Sequence, residues 1–188
     1  GDWSSDVCSS DLGYQSFYYY HSFELNNLPS LQSIKIGSNC FLYAPSFSLT
    51  DLPQLQSVRL GKSAFQMVHS VVFENLPKLQ SIRLDNNALD GDNRDDRQTI
   101  RRAPYNFKNT LTMRNLPSLT GFRGDESNFR RIGSVILENI PRLSSNGIDF
   151  DDWCFLCTYS LKSSSTHCPI SSSFDASALE SAIRGKSS

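Results

Sequence analysis

No apolar run in the 188 residues approaches the roughly 20 that a membrane helix needs. No transmembrane segment is expected. Charge of one sign is missing too. The 18 Lys and Arg nearly balance 19 Asp and Glu, for a formal net charge of −1. That excludes the strongly basic footprint of a nucleic-acid binder. Five cysteines are too few and too spread for a disulfide-dense scaffold. No Asn-x-Ser/Thr sequon occurs, so nothing argues for glycosylation in a secretory route. Catalytic constellations are absent as well. His21, His69 and His167 stand far apart, with no Ser/His/Asp set, paired carboxylates or phosphate-cradling glycine loop around them. No catalytic residue, cofactor or metal is therefore expected, and the chain reads as non-enzymatic. Compartment and oligomeric state stay open.

What is present is a repeated phrase. Leu28-Pro29-Ser30-Leu31-Gln32-Ser33-Ile34 returns from Leu52 as Leu-Pro-Gln-Leu-Gln-Ser-Val and from Leu76 as Leu-Pro-Lys-Leu-Gln-Ser-Ile. Both steps, 28 to 52 and 52 to 76, are 24 residues. Weaker copies begin at Leu116 and Ile140, again 24 apart. A fixed period of this size means a solenoid of stacked units.

Each unit can be read physically. In Ile34-Lys35-Ile36 the side chains alternate in, out, in, as a half-buried strand requires. Stacked units should join these strands into a parallel sheet with strands about 4.8 Å apart. The second half of each unit carries another apolar alternation, as in Phe47-Ser48-Leu49, Val71-Val72-Phe73 and Val135-Ile136-Leu137. These runs are short and rich in β-branched and aromatic residues, which predicts strands and not helices. The proline after each closing Leu or Ile holds that residue extended and turns the chain into the next unit.

Leu31, Ile34, Ile36, Asn39 and Phe41 fit L-x-x-L-x-L-x-x-N-x-L. So do Leu55, Val58, Leu60, Ser63 and Phe65, and Leu79, Ile82, Leu84, Asn87 and Leu89. Leu119, Phe122, Gly124, Ser127 and Phe129 form a degenerate copy, and Leu143, Asn146, Ile148, Asp151 and Trp153 a last one. The pattern resembles the leucine-rich repeat. The phrasing is similar to large leucine-rich proteins of single-celled eukaryotes. The resemblance implies a mainly β horseshoe or coil, with a parallel concave sheet and short extended convex segments. It also implies an asparagine ladder at Asn39 and Asn87, with Ser63, Ser127 and Asp151 in the other copies.

Residues 1–12 break the frame. Asp2 to Leu12 match, residue for residue, the translation of a DNA-sequencing adapter, so 1–12 is expected to be an artefact. Without its three acids the formal charge moves from −1 to +2, and without Cys8 four cysteines remain. The repeats are expected over 13–160. Between Leu76 and Leu116 the step is 40 residues, so 16 extra residues (40 − 24) lie at about 90–104. Their acids and bases, among them Asp90, Asp92, Arg94, Asp95, Asp96 and Arg97, cancel. This insertion should loop out, as a solvated excursion or as a functional loop. Residues 161–188 read as a degenerate C-terminal cap or linker, with a short helix expected over 173–185.

Lys35, Arg59, Arg83 and Arg123 occupy one outward position in four successive strands. The frame predicts a cationic column, either compensated by Asp85 and Asp125 or available to an acidic protein or other acidic ligand. Gln32, Gln56 and Gln80, with Thr120, predict a parallel amide column. Cys154-x-x-Cys157 with His167-Cys168 invites zinc, but adjacent His167 and Cys168 can hardly reach one metal together. The resemblance suggests a disulfide-bearing cap, although the spacing here departs from that motif. Buried free thiols are the default. The expected function is a non-catalytic binding scaffold recognising a protein or ligand through the concave face. The alternatives are a structural or adhesive spacer array and a sensor region of a larger multidomain enzyme.

Overall fold

In a computed structural model the described residues are 17, 19, 23–92, 107–151, 153–155, 157–158 and 160–164. The expectations for 1–12, for most of the insertion, and for His21, His167, Cys168 and the 173–185 helix lie outside them.

Among the described residues eleven strands alternate between two parallel sheets. β1 (Phe23–Asn26), β3 (Ser46–Thr50), β5 (Ser70–Glu74), β7 (Asn109–Arg114), β9 (Ile132–Glu138) and β11 (Ser160–Ser164) form one sheet in that order. β2 (Ser33–Ile36), β4 (Ser57–Leu60), β6 (Ser81–Leu84), β8 (Gly121–Gly124) and β10 (Ile148–Phe150) form the other. The chain is a parallel β-solenoid of about five turns with almost no helix. The second half of each unit is strand, as its alternation predicts. No helix among the described residues is long and apolar enough to cross a membrane.

The core lies between the sheets. Ile34, Ile36, Val58, Leu60, Ile82 and Leu84 face Phe47, Leu49, Val71, Phe73, Leu111 and Met113, all at 0–1% exposure. A single coil could not bury this surface alone, so each coil is covered by its neighbours.

Three residues per coil hold a left-handed backbone without being glycine. The first slot holds Asn39, Ser63, Asn87 and Ser127, with φ between 57° and 63°. Two residues on, Phe41, Phe65, Leu89, Phe129 and Phe155 have φ of 51–54°. A left-handed conformation costs an ordinary L-residue about 1–2 kcal/mol. Burying a large apolar side chain returns roughly 1.5–3 kcal/mol, and a good ring contact adds about 0.5–1.5. The rings do stack. The Phe41 and Phe65 centroids are 5.0 Å apart at 3°, and those of Phe129 and Phe155 are 5.0 Å apart at 19°. At the first slot the polar residues act through the backbone. The Asn39 N–H donates to Lys62 O at 2.8 Å, and the Asn87 N–H to Glu126 O at 2.9 Å.

The third left-handed slot holds Asn27, Asp51, Asn75, Asn115 and Asn139, just before each Leu-Pro or Ile-Pro. Here the side chains form the amide ladder. Asn75 Nδ2 donates to Asp51 Oδ1 at 2.9 Å. Asn115 Nδ2 donates to Asn75 Oδ1 at 2.8 Å, and Asn139 Nδ2 to Asn115 Oδ1 at 3.1 Å. This side-chain ladder lies at the opposite corner of the coil from Asn39 and Asn87. A groove of about 450 Å³ runs between it and the row Pro53, Pro77 and Pro117.

The last coil departs from the 24-residue frame. Ile148 pairs with Phe122, Asp149 with Arg123 and Phe150 with Gly124, a step of 26. A 3-10 turn at Ser145–Gly147 takes up the two extra residues. Phe150 and Trp153, not Ile148 and Asp151, therefore stand where Gly124 and Ser127 stand one coil earlier. A Cβ on Gly124 would lie 2.7 Å from the Phe150 ring and would collide with Asn128 Oδ1. The glycine in a position held by Ile36, Leu60 and Leu84 in the earlier coils is what admits the displaced phenylalanine.

Candidate functional site

The cationic column forms. Parallel pairing sets Lys35 opposite Arg59, Arg59 opposite Arg83, and Arg83 opposite Arg123. All four are exposed. Each is the middle outward residue between two buried ones, so strand alternation holds it off the core. Lys35 projects between Ile34 and Ile36, for example, and Arg59 between Val58 and Leu60.

The row has two internal counter-charges. Asp85 Oδ1 lies 3.8 Å from Arg59 Nη2, with the arginine side chain 53% exposed. Such a long, wet pair contributes little. Asp149 continues the row below Arg123, a position that the 26-residue step creates. The row therefore runs Lys, Arg, Arg, Arg, Asp.

Gln32, Gln56 and Gln80 stack beside it through their backbones. The Gln56 N–H donates to Gln32 O at 2.7 Å, and the Gln80 N–H to Gln56 O at 2.8 Å. Thr120 extends this row, its N–H 3.0 Å from Gln80 O. Between the glutamine and cation rows run Ser33, Ser57, Ser81 and Gly121, also in register. These four carry small side chains or none.

A second polar cluster sits where the insertion leaves and rejoins the coil, and the repeat spacing misplaced part of it. Asp90 and Asp92 fall within the expected insertion but are buried inside the coil. Gly91 and Asp92 donate their N–H groups to Gln66 O and Val68 O, both at 3.0 Å, and so continue the ladder of the coil above. His69 Nε2 lies 2.8 Å from Asp92 Oδ2, and His69 Nδ1 lies 3.2 Å from Asn109 Oδ1. Asn109 Nδ2 donates to Asp92 O at 2.8 Å and to Arg131 O at 2.9 Å. One histidine and one asparagine thus tie both feet of the insertion to the coils on either side. Both ring nitrogens of His69 face oxygen acceptors. This arrangement anchors backbone and leaves the ring engaged on both edges.

Asp90 pairs with Arg131. Burial pushes its carboxyl up to about 6, against the pull of Arg131 and Arg130. Burial likewise raises the Cys157 thiol to about 11, opposed by the same two arginines. Cys40, Cys154 and Cys157 are all buried. The Cys154 Sγ donates to Asp125 O at 3.2 Å. Among the described residues no group of three His, Cys, Asp or Glu could hold a metal.

The sequence reading missed the Asn27/Asp51/Asn75/Asn115/Asn139 row. Its signal was available: the residue before every Leu-Pro or Ile-Pro is Asn or Asp, and these are the residues that tolerate a left-handed turn. Comparison with known protein families, curated proteins and solved structures finds no match.

Proposed function

We propose that this chain is a leucine-rich-repeat binding scaffold, without catalysis of its own, that recognises an acidic protein or acidic ligand. Lys35, Arg59, Arg83 and Arg123 make the principal contacts, and Gln32, Gln56 and Gln80 offer flanking amides. The observation that carries this reading is the strand register. Four cations from four coils stand in one exposed row, at a strand spacing of about 4.8 Å. Like charges directly opposite one another on a sheet are unfavourable. A row that persists through four coils, with Asp85 and Asp149 beside it, keeps an excess of positive charge suited to an anionic partner.

Charge reversal tests it. The double variant R59E/R83E should lose binding to immobilised poly-L-glutamate, and wild-type binding should weaken as salt rises, because exposed charges are screened. Unchanged retention of the variant would sink the proposal. The ion pair of Arg59 with Asp85 and the pairing of Arg123 with Asp149 favour a second reading. In it the row is self-compensated and the coil is a structural or adhesive spacer. Wild-type protein that ignores poly-L-glutamate at low salt would support the spacer.

A further inference from the structure

The spacing of the cationic row carries the reading further. We infer that the row docks an α-helix carrying an acidic stripe, laid along the solenoid axis. This rests on the proposal that the row binds an anionic partner.

Four strands at about 4.8 Å place Lys35 and Arg123 roughly 14 Å apart. One α-helical turn rises about 5.4 Å, so a helix with one acid per turn accumulates a mismatch of only about 2 Å over three steps. Long arginine and lysine side chains absorb that difference. An extended peptide presents same-side residues every 6.6 Å or so, and over three steps it drifts by about 5 Å. Successive phosphates of one duplex strand advance only about 3.4 Å, which drifts by roughly 4 Å the other way. The helix fits best.

The neighbouring rows agree. Ser33, Ser57, Ser81 and Gly121 put a row of small residues beside the cations, where the body of a helix would lie without meeting bulky side chains. Gln32, Gln56 and Gln80, exposed on the far side of that small-residue row, can meet polar side chains of the same helix. Asp149 closes the row. It would repel a further acid and pair with a base, so the row selects a stripe of acids ending in Lys or Arg at the Asp149 end.

The test uses two helical peptides of identical composition. One carries glutamates at i, i+4, i+7 and i+11, on a single face, with lysine one turn beyond. The other scatters the same residues around the helix. Circular dichroism confirms equal helicity, and poly-L-glutamate is run beside them. The striped peptide should bind the full chain about tenfold more tightly than the scattered one, the scale expected from a few exposed ion pairs. R59E/R83E should erase that preference while retaining the wild-type circular dichroism spectrum. Equal affinity of the two peptides, with poly-L-glutamate still bound, overturns the helix and leaves a row that reads charge without register. If neither peptide nor poly-L-glutamate binds, the anionic-partner proposal falls with it.

Discussion

Individual residues here often hold conformations that their chemistry disfavours, and neighbours make up the difference. Phe65 has φ near 51° and no exposed surface. Its ring stacks on Phe41 and meets Phe47 edge-on at 4.7 Å. Phe65→Ala removes that packing from a site with little freedom to collapse. We expect a loss of about 3–5 kcal/mol, read by urea unfolding. Asp90 is strained in another way. Its carboxyl, normally near 3.8, is held at about 6 because burial penalises the charge more than Arg131 and Arg130 favour it. The folded state therefore binds the proton more tightly than the unfolded chain does. This contribution to stability is complete below pH about 4 and disappears as pH rises through about 6, a change of about 3 kcal/mol for a shift of this size. Unfolding free energies of wild type and Asp90→Asn, measured from pH 4 to 7, should diverge across that window. Parallel curves would show that Asp90 does not titrate there.

At the scale of the element, each corner depends on a different kind of repetition. The aromatic corner is held by stacked rings, the other by amides bonded from coil to coil. Asn115 occupies the middle of the amide ladder, donating to Asn75 and accepting from Asn139. Alanine there loses both bonds and must adopt a left-handed backbone at φ 52°. The expected cost is about 1–3 kcal/mol, combining the conformational penalty with one or two exposed hydrogen bonds. Asn115→Gly should recover part of it, because glycine restores the backbone freedom and not the amide. A glycine variant as unstable as alanine would mean that the bonds dominate. The strands themselves were legible from alternation: β2, β4 and β6 show the in–out pattern of Ile34-Lys35-Ile36 and its copies. The last coil was not legible, because two extra residues hide in a 3-10 turn that leaves the apolar spacing superficially intact.

For the whole molecule, the apolar core and the row proposed to bind an acidic partner are separate. The core is a continuous apolar spine between two sheets, and the cationic row stands outside it. Reversing Arg59 and Arg83 should therefore change affinity for acidic probes while moving the unfolding free energy by no more than about 1 kcal/mol, since exposed pairs contribute little. A larger loss of stability would place these arginines in the architecture instead. The anchoring of the insertion belongs to the same scale. His69, Asp92 and Asn109 come from three separated stretches of chain, and together they tie Asp92 and Asn109 into the coil where β5 pairs directly with β7.

The sequence by itself determined the period, the inward side chains and the rows of Lys35, Arg59, Arg83 and Arg123. Strand alternation and a 24-residue step, which resumes after the insertion between Arg83 and Arg123, project directly into space, so equal positions in successive copies stack. Only the tertiary structure decided what depends on partners in other coils. It set Asp149 beneath Arg123, buried Asp90 and Asp92 within the coil, and placed the amide ladder at Asn75, Asn115 and Asn139. In each case the deciding interaction joins residues at least 17 positions apart. Local pattern carries no record of which distant group a side chain will meet once the coils are stacked.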